Sequence, residues 1–405
     1  MKFTKLLLVL ISFLYLGEIS GQAPKIIAGI NIDRVKRLDK FVQSEIDKGN
    51  IPGAVSMIIH NGIVVHQGAL GYKNVSTKTP MKIDDLFYIQ SMTKPIISTA
   101  FMMLYEEGYF KLDDPVSKYI PEFKNFRVVR SVNDGPDDPT DSLKSEMTIT
   151  QLISHSSGLM HGLNDNPVEK RFRKGYFNQS KTIQERVSNI TKFPLLAQPG
   201  TQWNYSAGPD VLCVLIEKFS GMSVNEFLKT RIFDPLEMKS TGYNVPKSEQ
   251  SKIVSLHLKG NNGTISVAAN QPPFENVTVW SGVNGLFSTA ADYSTFCQMM
   301  MAGGTYKGKQ YLSRKTVDLM ISNQTGDLFQ LPGTQWGLGF AVVTDGPATK
   351  TPASKGLFFW AGANNTHFFI DPKEKLIAIF MTQEGNFTLD YHTSLRQMVY
   401  QTLAD

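Results

Sequence analysis

The β-type runs of this chain stand towards its two ends, and helical runs fill the stretch between them. Ala54 to Ile59 and Ile63 to Leu70 flank His60-Asn61-Gly62. Asn-Gly supplies the positive-φ residues of a tight two-residue turn, so the pair predicts a β-hairpin. Far downstream, Trp336 to Val343, Leu357 to Trp360, Thr366 to Asp371 and Leu376 to Met381 predict further strands, with Asp371-Pro372-Lys373-Glu374 as a hairpin-type connection. The middle carries helix signals instead. Thr148-Ile149-Thr150-Gln151 and Ser223-Val224-Asn225-Glu226 are capping boxes, Val211 to Phe219 is an apolar helix closed by Gly221, and Ser288 to Asp292 caps Tyr293 to Met301. Amphipathic runs at Asp33 to Ile46 and Leu389 to Leu403 open and close the chain. Asn133 to Ser145, rich in Asp, Pro and Ser, predicts an exposed loop. Segregated elements of this kind predict an α+β fold. The sheet part would come from residues 25–90 and 280–405, with a helical part of about 91–279 inserted between its two halves.

Within that frame, Ser91-Met92-Thr93-Lys94 lies between an aromatic apolar run, Leu86 to Ile89, and a helical run, Ile96 to Glu107. Pro95 has no backbone N–H and is tolerated only near a helix start, so the helix begins close to Ser91. Residues three apart on a helix share a face, which lets Ser91 and Lys94 meet. The first N–H groups of a helix lack internal partners and carry the positive end of its dipole. A serine placed there has an amine as neighbouring base and an N–H able to hold an oxyanion. Serine is also a common helix cap, and Ser-x-x-Lys taken alone more often marks a plain helix start.

The compartment is written in the first residues. Met1-Lys2-Phe3-Thr4-Lys5 is basic, Leu6 to Leu16 is apolar, and Gly17, Ser20, Gly21 and Ala23 are small or polar. This is the layout of a signal peptide over residues 1–21, and it predicts a secreted or periplasmic protein over 22–405. A membrane anchor is the alternative, but the apolar run is shorter than the ~20 residues a spanning helix needs. No later stretch is long and apolar enough to cross a bilayer. The formal charge of +5 is mild and forms no basic cluster, so nucleic acid is not indicated. Seven scattered His and two Cys, Cys213 and Cys297, show no metal-ligand spacing. The cysteines lie in apolar helical runs, where buried free thiols are the default, though an exported protein can also pair them. Among the Asn-x-Ser/Thr sequons are those at Asn74, Asn262 and Asn276, and one at Asn204 adjoins Tyr205.

Further segments then join the serine. They are Leu152-Ile153-Ser154-His155-Ser156-Ser157-Gly158-Leu159, Pro199-Gly200-Thr201-Gln202-Trp203-Asn204-Tyr205-Ser206 and Ile232-Phe233-Asp234-Pro235-Leu236-Glu237-Met238. Gly285-Leu286-Phe287-Ser288-Thr289-Ala290-Ala291-Asp292-Tyr293 and Trp360-Ala361-Gly362-Ala363 complete the set. In this order, and with Ser91-Met92-Thr93-Lys94-Pro95, the chain resembles the serine β-lactamase/penicillin-binding-protein superfamily, in its class C-like serine hydrolase and esterase branch. The resemblance implies a central antiparallel sheet flanked by helices, a helical subdomain and a cleft between them. It also implies roles: Ser91 as nucleophile, Lys94 as base, Tyr205 as second base and acid, and backbone N–H groups of Ser91 and Ala363 as the oxyanion hole. Trp360, Ala361 and Gly362 take the place of the edge-strand Lys-Thr-Gly or His-x-Gly of the family, and Ala207 that of the Asn in Tyr-x-Asn. His155 can serve as a base, although a His at such a helix end more often holds neighbouring loops.

Two departures bear on the substrate. β-Lactams and D-Ala-D-Ala peptides carry a carboxylate and an amide, which a cation and a side-chain amide bind. This chain has Ala207 and Trp360 where those groups would stand. It is therefore expected to be an esterase acting through an acyl-Ser91 intermediate on a small uncharged ester, without metal or cofactor. A lactamase, DD-peptidase or D-amino-acid amidase is the alternative, with Lys355 restoring a charge, and a non-catalytic binding or sensing module is a third possibility.

Overall fold

Asn61 and Gly62 both take positive φ, 53° and 76°. They join β1 (Gly53–His60) to β2 (Ile63–Asn74), with His60 paired to Ile63. The computed structural model describes residues 25–176 and 180–404; the signal peptide expected over 1–21 lies outside the described residues. The sheet continues with β3 (Thr79–Pro80), β4 (Thr334–Trp336), β5 (Ala341–Val343), β6 (Phe358–Gly362), β7 (Thr366–Asp371) and β8 (Leu376–Met381). The strand order is β4-β5-β6-β7-β8-β1-β2-β3, and all pairs are antiparallel. β8 lies beside β1, Met381 opposite Val55, so the two ends of the chain close one sheet. The fold is α+β, as expected.

The helices are α1 (Ile32–Asp47), α2 (Thr93–Glu106), α3 (Ile149–Ile153), α4 (Pro167–Tyr176) and α5 (Ile183–Ile190). They continue with α6 (Gly208–Ser220), α7 (Val224–Leu228), α8 (Ala290–Met301), α9 (Arg314–Met320) and α10 (Asp390–Tyr400). Alternate residues of β1 serve two cores. Ala54 and Ile58 pack with Val35, Leu38 and Val42 of α1 and Leu395 and Val399 of α10. Val55, Met57 and Ile59 pack with Ile96, Ile97 and Phe101 of α2. Covering on both faces explains why the strand reads as an unbroken apolar run. α2 in turn packs on α6, which places the Ser91 turn and the Tyr205 segment beside the sheet.

Three local expectations change. Trp336 to Val343 is two strands, because the chain turns through Gly337-Leu338-Gly339. Gly339 has φ 96°, and a Cβ there would lie 2.3 Å from Ser98 Oγ. The 133–145 segment is partly ordered, since Thr140–Ser142 pairs with Arg127–Val129 and the Arg127 guanidinium bonds to Thr140 and Ser142. α4 and α5 were not expected; α4 buries Val168, Phe172 and Tyr176, four residues apart, beneath a charged outer face. Cys213 on α6 and Cys297 on α8 are buried free thiols, which answers the pairing question. Among the described residues, no helix is long and apolar enough to cross a membrane.

Candidate active site

The chain reaches the Ser91 turn through Phe87–Tyr88, which pairs with Phe287–Ser288. Gln90 then takes φ 47°, a left-handed conformation costly for a side-chain-bearing residue and characteristic of functional turns. Ser91 follows in a single 3₁₀ turn, Gln90–Met92, that feeds α2. The regular helix thus begins two residues after Ser91, and Pro95 is its third residue, where a missing N–H costs nothing. The i, i+3 relation survives: Lys94 Nζ donates to Ser91 Oγ at 3.1 Å.

Lys94 is 1% exposed. Its Nζ also donates to the Val283 carbonyl at 2.8 Å and lies 4.5 Å from the centroid of the Tyr205 ring. These hydrogen-bond partners are a hydroxyl and a carbonyl, so no carboxylate in contact holds the proton on. Burial brings the Lys94 pKa down to about 7, opposed by the more distant negative charge of Asp210. A neutral amine is therefore accessible at physiological pH, which a base for a serine hydroxyl requires.

Tyr205 faces the same serine. Ser91 is its hydrogen-bond partner, and Trp360 Nε1 donates to its Oη at 3.1 Å. Burial raises its pKa, so the phenol keeps its proton until a neighbour takes it. The segment carrying Tyr205 is tied down by His155. Asn204 N–H donates to the His155 carbonyl at 2.8 Å, and Ser206 N–H to His155 Nδ1 at 3.2 Å. His155 itself has φ 61° and a buried ring in edge contact with Trp203 and Trp336. With Nδ1 accepting from the backbone and burial pulling its pKa well down, His155 is a neutral holder of the loop. His161 stacks on the Tyr205 ring at 5.4 Å and 12°. Burial and the Lys94 charge depress it to about 3. The Asn204 amide nitrogen is buried, so the sequon beside Tyr205 is closed to a glycan in the folded protein.

A cleft of about 1110 Å³ opens over these groups. Ser91, Tyr205, Trp360, Ala361, Gly362 and Ala363 all line it. Gly362 is the point of closest approach: a Cβ there would sit 2.4 Å from the Ile89 carbonyl and 2.3 Å from Thr366 Oγ. Only glycine lets β6 run this close to the Ser91 turn. Gly362→Ala is therefore expected to destabilise the fold by about 1–3 kcal/mol, the range for forced overpacking. Thermal unfolding checks this; an unchanged Tm would mean that the turn at 89–91 gives way freely.

Two sequence candidates are not brought to the cleft. Ala207 is fully buried where α6 begins, its N–H bonded to the Met160 carbonyl, because the first turn of α6 is packed into the core. Lys355 is exposed and absent from the lining. Among the described residues, no Lys or Arg lines the cleft, and Asp327 is its one acidic side chain. Other members were missed from sequence. Trp203 and Phe329 build an aromatic wall at 4.6 Å from each other, and Val283 supplies the carbonyl at Lys94. The Phe329 loop and Val283 carry no local signal. Asp210 does, as an acid inside the apolar start of α6.

Known proteins accord with this geometry. Residues 38–398 match the Beta-lactamase family. Esterase EstB of Burkholderia gladioli is 25% identical over 367 residues, covering 85% of this chain and 89% of that protein. A putative D-alanyl-D-alanine carboxypeptidase of Escherichia coli K12 is 26% identical over 390 residues, covering 88% and 84%. The solved structure of EstCE1, a hydrolase with promiscuous acyltransferase activity, superposes with a TM-score of 0.79 at 24% identity, covering 91% and 99%. A family match over nearly the whole chain, on this fold and with a serine, lysine and tyrosine in contact, means that the chain belongs to the Beta-lactamase family and is a serine hydrolase.

Proposed function

We propose that the protein is an esterase acting on small uncharged esters. The carrying observation is the cleft wall: Trp360 stands on β6, bonded to Tyr205, and among the described residues no Lys or Arg lines the cavity. Neutral Lys94 and Tyr205 take the proton from Ser91 as its Oγ attacks the ester carbonyl. The N–H groups of Ser91 and Ala363 hold the oxyanion, an effect worth roughly 3–4 kcal/mol for a strong donor. Tyr205 returns the proton to the leaving alcohol as the ester C–O bond breaks. Water then enters, gives its proton to the same pair, and releases the acid while Ser91 regains its hydrogen. The aromatic wall offers apolar area, which suits an uncharged acyl or alcohol group, while the Trp360 indole N–H is committed to Tyr205. A carboxylate-bearing β-lactam finds no cation there.

p-Nitrophenyl acetate is expected to be hydrolysed with kcat/KM at least ~100-fold above a chromogenic cephalosporin, a gap of roughly 2.7 kcal/mol. Trp360→Lys should narrow that gap, and Lys355→Ala should leave both rates unchanged. Side-by-side kinetics decide it: efficient cephalosporin turnover would make the protein a lactamase or peptidase. The basic, apolar and small-residue order of residues 1–21 supports export of this esterase, and fractionation of cells expressing the full chain tests that.

A further inference from the structure

Asp210 is fully buried in the first turn of α6, and no step above uses it. Its Oδ1 accepts three hydrogen bonds from one short stretch: Ser281 Oγ at 2.8 Å, Gly282 N–H at 2.7 Å and Val283 N–H at 3.1 Å. Its Oδ2 accepts from Tyr176 Oη at 2.5 Å, with Arg186 Nη1 at 3.8 Å. Charge-assisted bonds of this number make a rigid anchor. Gly282 docks so closely that a Cβ would lie 2.2 Å from the Pro209 carbonyl and 2.9 Å from Cys213 Sγ. The carbonyl of Val283 is the one that accepts from Lys94 Nζ at 2.8 Å. The stretch is thus bound to Asp210 through its N–H groups and to Lys94 through its last C=O.

We propose that Asp210 is a positioning residue for catalysis: by clamping residues 281–283 it fixes the Val283 carbonyl that holds the Lys94 amine on Ser91. A lysine amine sits on a flexible four-carbon stem, so its aim depends on such an acceptor. The groups facing Lys94 are Ser91, Tyr205, His155, His161 and, at longer range, Asp210. Those facing Asp210 are Tyr176, Arg186, Cys213 and Tyr243 besides the loop. The inference rests on Lys94 acting as the base.

The test uses the full enzyme on p-nitrophenyl acetate. Asp210→Ala removes both anchor and charge, whereas Asp210→Asn keeps a carbonyl acceptor and removes the charge. In Asp210→Ala, kcat should fall on the order of 100-fold, the scale of a small misplacement at a reacting centre. KM should change far less, since Asp210 does not line the cleft. The acidic limb of kcat/KM should move to lower pH, because an acceptor and a negative charge both favour the ammonium form and both are lost. Asp210→Asn should lose less rate and move the limb in the same direction. Tyr176→Phe, which touches only the other oxygen, should keep both. Should Asp210→Ala fail to fold, the limb of Asp210→Asn decides. A folded variant with wild-type kcat and limb overturns the proposal, as does a rate loss that tracks the folded fraction with the limb unmoved. Retention of activity in Lys94→Ala would instead overturn the base assignment itself, so the two failures are distinguishable.

Discussion

Replacing Ser91 with Ala is expected to lower kcat by roughly 10⁶-fold, the loss seen when a triad hydrolase is deprived of its nucleophile. The reason is geometric. Ser91 Oγ is the atom that both Lys94 Nζ and the Tyr205 phenol address, and it lies half-buried on the cleft floor. Among the described residues, Ser91 is the cleft-lining hydroxyl bonded to that pair. A fluorophosphonate probe should therefore label Ser91 alone, read by peptide mapping, and the Ala variant should not react. The fold should hold, because the buried Lys94 amine keeps the Val283 carbonyl as acceptor. Label on a different serine, or normal turnover in Ser91→Ala, would remove the nucleophile assignment.

Lys94→Ala and Tyr205→Phe should each reduce the acylation rate by at least ~100-fold, the lower end for positioned acid–base groups. Lys94 has a pKa of about 7 because its amine is buried without a contacting carboxylate. In the proposed mechanism the reactive form is the neutral amine. Below about pH 7 the amine is protonated and cannot accept from Ser91, so kcat/KM should fall about tenfold per pH unit there and level off above. The limb should disappear from the residual activity of Lys94→Ala. A limb that persists unchanged in that variant would belong to another group. Full activity in Tyr205→Phe would take the leaving-group proton away from the phenol.

Much of this was legible locally. The turn at Asn61-Gly62 needs only two residues able to take positive φ. The capping box at Thr148 and Gln151 and the left-handed Gly221 after α6 mark helix ends by side-chain chemistry within a few residues. Ser91 and Lys94 meet because they are three positions apart at a helix start, and any packing that keeps the helix keeps the pair. The resemblance in motif order then told which serine, lysine and tyrosine to bring together.

Local pattern carries no information about which distant segments pair. Trp336 to Val343 has the alternation of one strand, and only the closeness of Ser98 to Gly339 shows why the chain must turn there. Ala207 occupies a motif position in sequence, but the packing of α6 turns it into the core, away from the substrate. Lys355 is five residues from Trp360 and still outside the cleft. The carbonyl at Lys94 comes from Val283, 189 residues away, and is held by Asp210 on a third element. The sequence by itself therefore determined the α+β class, the helix starts and the Ser91–Lys94 contact, all of which follow from dihedral preference and short-range spacing. Tertiary structure decided the pKa of Lys94, the charge of the cleft wall and the acceptor that aims the amine, because desolvation and long-range contact exist only once the segments have packed.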